Sequence, residues 1–68
     1  MTEEQLREAA VDAFAALTEV QLGIRVILYP SAFQVDAGAK TASLKLRKKM
    51  FVVTVQGERV TSSLQPLN

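Results

Sequence analysis

The 68-residue sequence predicts an α+β domain, with one N-terminal amphipathic helix packed on a three- to four-stranded antiparallel sheet. Three observations lead there. Apolar residues recur at three- and four-residue steps through residues 3–22. The period switches to two after Gly23. Every later link between extended segments is too short for a parallel crossover.

In "EEQLREAAVDAFAALTEVQL", residues 3–22, Leu6, Ala10, Phe14 and Leu17 form the apolar stripe, flanked by Ala9, Ala13 and Val20. Glu4, Glu8, Asp12 and Glu19 fall largely outside it. Thr2 with Gln5 three residues on predicts a capping box, in which each side chain satisfies the other's orphan backbone donor. Glu3 and Glu4 occupy the first turn, where the helix dipole favours anions. Gly23 can take the left-handed conformation that ends a helix. Five alanines make the stripe shallow, so the helix can approach a sheet closely. Val11, Ala15 and Leu22 lie off that stripe and are available to a helix–helix seam between copies.

Strands are predicted at about 24–29, 33–35, 42–47, 50–56 and 59–64. In "IRVILY", Ile24, Val26 and Leu28 point one way and Arg25, Ile27 and Tyr29 the other, with Pro30 ending the run. Phe33 and Val35 share a face, and "DAGA" at 36–39 reads as a hairpin turn. "SLKLRKKMFVVTV", residues 43–55, contains a parity fault. Leu44 and Leu46 have one parity, and Phe51, Val53 and Val55 the other. A β-bulge or a kinked loop near 47–49 brings both sets to one side. A two-residue hairpin is disfavoured there, because glycine, asparagine and aspartate are missing. Gly57-Glu58 suits such a hairpin, and Pro66 ends the final strand.

If Ile24, Val26, Leu28, Phe51, Val53 and Val55 face the helix, then Ile27, Tyr29, Met50 and Val52 are left on the opposite face. A sheet apolar on both sides with one helix to cover it needs a second cover. The cheapest source is another copy of the chain, which assigns Ile27, Tyr29, Met50 and Val52 to self-association. Size points the same way. A core this small supplies roughly 3–5 kcal/mol without a staple, and with no cysteine a disulfide is impossible.

Enzyme chemistry has few parts here. The chain lacks histidine, the commonest general base and metal ligand, as well as cysteine. "GAKT", residues 38–41, echoes a phosphate loop but fails its spacing and its strand-to-helix context. Five of the seven acids lie on the helix, mainly on its solvated face, so no carboxylate pair converges. A pocket of about 300 Å3 or more is not expected at this size. No catalytic residue, metal ligand, cofactor or small-molecule substrate is assigned.

Charge is distributed unevenly. Residues 1–22 carry net −4 and residues 23–68 net +5. Lys45, Arg47, Lys48 and Lys49, with Lys40, form the one concentrated feature. Such cations either solvate a bend and block edge aggregation, or contact an acidic protein surface or phosphates. No aromatic lies among them to stack a base, since Phe51 reads as core. The start "MTEEQLREA" is acidic and helical in pattern, without the basic segment and apolar run of a signal peptide, and no run approaches membrane-spanning length, so a cytoplasmic location off the membrane is expected. The sequence thus leads us to expect a small non-enzymatic protein-interaction or assembly module, self-associating through an apolar sheet face. Weak, sequence-independent nucleic-acid binding through 45–49 is the alternative.

Overall fold

The predicted capping box opens α1 (Glu3–Leu22) in the computed structural model, which describes residues 1–67. The Gln5 N–H donates to Thr2 Oγ1 at 3.1 Å, and the Thr2 N–H donates to Gln5 Oε1 at 2.9 Å. Gly23 closes the helix at φ 78°, its N–H donating to the Glu19 carbonyl at 3.0 Å. A side chain would be strained at that φ, so glycine is the residue that ends the helix cheaply. A 3-10 turn follows at Pro30–Ala32, then β1 (Gln34–Asp36), β2 (Thr41–Lys45), β3 (Lys49–Gln56) and β4 (Arg59–Pro66). The strands form one antiparallel sheet in the order β1-β2-β3-β4. Among the described residues, no helix is long and apolar enough to cross a membrane.

The core lies between α1 and one face of the sheet. Leu6, Ala10 and Phe14 of the helix are buried, as are Phe33, Ala42, Phe51, Val53 and Val55. Ala10 and Ala42 let the two layers approach closely, as the alanine-rich stripe suggests. The Phe14 ring meets Phe51 edge-on at 5.4 Å and Phe33 edge-on at 6.5 Å. Such pairs contribute about 0.5–1.5 kcal/mol each beyond the area they bury.

Three expectations are corrected. Residues 24–29 are not a strand but an extended connector outside the sheet. Thr18 explains why. Its buried hydroxyl donates to the Ala15 carbonyl and accepts the Val26 N–H, both at 2.9 Å, so a donor needed for a sheet ladder is held by the helix. Arg25 adds an exposed ion pair to Glu19 at 2.9 Å. Val26 and Leu28 are half-buried against the core, whereas Ile24, Ile27 and Tyr29 stay exposed. Val20 and Leu22 are exposed as well, while Ala15 is buried within this fold and Val11 packs on its core.

Next, the parity fault is resolved by the two-residue hairpin that the composition disfavours, not by a bulge or a kinked loop. Leu46 donates its N–H to the Lys49 carbonyl at 2.8 Å, closing β2 onto β3 around Arg47-Lys48. The register sets Leu44 opposite Phe51 and Ala42 opposite Val53. An even-length turn reverses parity, so both apolar sets reach the helix side. Neither Arg47 nor Lys48 has positive φ, so the turn avoids the conformations that would have required glycine.

Finally, the second sheet face is mostly polar. Gln34, Asp36, Thr41, Ser43, Lys45, Thr54, Gln56, Arg59, Thr61, Ser63 and Gln65 lie on it, with Met50 and Val52 as its apolar members. Ile27 and Tyr29 are not in the sheet, so the four residues assigned to self-association do not share one apolar sheet surface.

Replacing Thr18 with valine keeps the shape but leaves the Val26 N–H without its acceptor. The expected loss is about 1–3 kcal/mol in urea denaturation, with Thr18→Ser losing less. Equal stability of Thr18→Val and wild type would show that the connector is not anchored there.

Candidate interaction site

The β2–β3 turn is held from three sides. Leu46 closes it onto β3, Leu67 donates its N–H to the Lys48 carbonyl at 2.8 Å, and the last turn of α1 brings Gln21 alongside. Between these parts lies an open cleft of about 500 Å3, lined by Gln21, Leu46, Arg47, Lys48, Lys49 and Leu64. A concavity of that size was not expected from so short a chain. It exists because α1 packs on β1, β2 and β3 while β4 runs on past its edge.

Half-buried Leu46 and Leu64 form the floor of the cleft, and exposed Arg47, Lys48 and Lys49 form its rim. The two ion pairs among the described residues, Arg7–Glu3 and Arg25–Glu19, involve none of these cations. The acids of the sheet are remote from them. Asp36 and Glu58 belong to the β1–β2 and β3–β4 ends, opposite the β2–β3 turn. Among the described residues, the cleft is bordered by the C-terminal end of α1, whose last turn holds no basic residue of its own. Its unpaired carbonyls present roughly half a unit of negative charge toward this end of the sheet. That accounts for cations being tolerated here, but half a charge does not neutralise three.

The predicted cation cluster therefore divides. Arg47, Lys48 and Lys49 converge on one cleft. Lys45 points to the polar sheet face, beside Met50 and a smaller hollow of about 260 Å3. Lys40 lies at the far end of β2, with φ 56° in the β1–β2 turn and its carbonyl accepting the Val55 N–H at 3.0 Å. Leu46, Leu64 and Gln21 were missed as lining residues. The signal for Leu46 was its place between two cations, and for Leu64 its parity in the last strand. The helix end that brings Gln21 to them had no local signal. No protein-family model, curated protein or solved structure matches the chain significantly.

Like charges in one turn, with no ion-pair partner among the described residues, repel each other. Raising sodium chloride from low to physiological concentration should therefore raise the Tm. Lys48→Gln should leave stability unchanged or increase it by a few tenths of a kcal/mol, about the scale of one exposed charge pair. A loss above about 1 kcal/mol in Lys48→Gln would mean that this ammonium has a structural role.

Proposed function

We propose that the chain is a small non-enzymatic protein-interaction module that docks an acidic partner segment carrying an apolar anchor side chain. The observation that carries this reading is the pairing of features in one cleft: a leucine floor inside a rim of three cations with no ion-pair partner among the described residues. Magnitudes assign the roles. Burying one leucine-sized anchor on Leu46 and Leu64 is worth about 1.5–3 kcal/mol. Each exposed charge pair adds about 0.2–1 kcal/mol. The floor then provides most of the affinity, and the cations provide orientation, encounter rate and rejection of basic competitors.

Phosphate binding is the weaker reading of the same cations. Phe51 is 1% exposed and unavailable to stack a base, and the cleft floor is aliphatic. The acidic face of α1 adds repulsion against a polyanion on the helix side.

Fluorescence anisotropy with a short peptide alternating glutamate and leucine tests the proposal. Binding should weaken as salt rises, and an analogue with serine for leucine should bind roughly tenfold or more weakly. Lys48→Glu combined with Lys49→Glu should remove binding while the fold persists, since both positions are exposed. A single-stranded oligonucleotide of matched charge that binds more tightly than the peptide would overturn the reading in favour of nucleic acid.

A further inference from the structure

The two edges of this sheet differ in how they are protected. β1 is three residues long, which leaves little ladder to extend. β4 is eight residues long and pairs with β3 without a bulge from Lys49–Pro66 to Gln56–Arg59. It carries no lysine, its one cation is Arg59 at the start, and its one proline is Pro66 at the end. Natural sheets blunt long edges with the devices that β4 lacks.

The hydrogen-bond phase of that edge follows from the ladder. The β3–β4 hairpin closes on the Gln56–Arg59 pair, and Leu67 donates its N–H back to Lys48. Odd-numbered residues of β4 therefore direct their backbone groups at β3, and Val60, Ser62 and Leu64 direct theirs outward. Pro66 is also in outward phase but has no N–H. On the helix side of the same strand, Val60 is 48% exposed, Ser62 is exposed and Leu64 is half-buried, because α1 covers β1, β2 and β3 instead.

We propose that β4 pairs antiparallel with β4 of a second copy of this chain, about a two-fold axis through Ser62, so that one sheet continues across two subunits. In this register Ser62 faces Ser62 of the second copy, Val60 faces Leu64, and Leu64 faces Val60. Each of these pairs exchanges both N–H···O bonds, so every outward donor of β4 is used. Moving the axis to Ser63 sets Val60 opposite Pro66, where the carbonyl of Val60 meets no donor. Moving it to Thr61 leaves Leu64 opposite the turn residue Glu58. Only the Ser62 register matches donors to acceptors and also keeps apolar residues together on the helix side. Arg59 then faces Gln65 rather than another cation. The pairing also sets Val60 of the second copy beside Leu64, where it extends the floor of the cleft, so each cleft is completed by the neighbouring subunit.

Because the chain has no cysteine, Ser62→Cys gives a single thiol, and the two thiols in the dimer face each other across a backbone separation of about 5.5 Å, within disulfide reach. Ser63→Cys thiols would stand two residues out of register, beyond the roughly 7 Å limit. Sedimentation velocity over a concentration series should show a monomer–dimer equilibrium for wild type. Mild oxidation should cross-link Ser62→Cys at least tenfold faster than Ser63→Cys. Val60→Lys should weaken dimerisation at least tenfold while retaining the monomer's circular dichroism. The Lys48→Glu, Lys49→Glu variant should still dimerise, which separates this inference from the acidic-partner proposal. A wild-type monomer at high micromolar concentration overturns the inference, as does faster cross-linking at Ser63. So does a dimer abolished by Ile27→Ser with Tyr29→Ser but not by Val60→Lys, which would place the interface on the connector.

Discussion

One helix must shield one side of a four-stranded sheet, and the rest of the structure follows from how far its apolar face reaches. The contacts of Phe14 with Phe33 and Phe51 join the helix to the end of the connector and to the central strand β3. These rings fix α1 over the β1–β3 part of the sheet. What α1 covers least is left open: the outer strand β4 and the cleft that its last turn borders at the β2–β3 turn. Both features of interest are thus by-products of one packing decision.

The connector contributes to the same economy of burial. A segment with β-branched residues in alternation would ordinarily join a sheet. Here the Thr18 hydroxyl takes the Val26 N–H, and Val26 and Leu28 pack toward the core from beside the helix. The sheet consequently does not gain the apolar second face that another strand would bring. Its open face is rich in threonine, serine and glutamine, side chains that water solvates readily. Exposed Ile24, Ile27 and Tyr29 on the connector are the cost of that route.

Charge separation takes a different form in space from its form along the chain. The acidic residues of α1 lie on its solvated face, while Arg47, Lys48 and Lys49 gather at the helix's C-terminal end. The two regions do not neutralise each other through ion pairs among the described residues. A molecule with an acidic flank and a basic cleft on different surfaces can orient a charged partner before contact. The leucine floor then determines how long such a partner remains.

The sequence alone determined the elements whose signals are local. The period of 3–22, the Thr2–Gln5 box and Gly23 located the helix and both its ends, and Gly57-Glu58 located the last hairpin. The parity conflict between Leu44 and Phe51 showed that something had to change near Arg47–Lys49, although not that a two-residue hairpin would form there. Only the tertiary structure decided whether 24–29 would be strand or connector, because that depended on a hydroxyl eight residues away along the chain. It alone also separated Lys40 and Lys45 from the other cations and brought Gln21 and Leu64 to them. Spacing along a chain reports which groups share a face of one element. Which faces meet is decided by competition for limited apolar cover, and that competition is settled only when all elements pack at once.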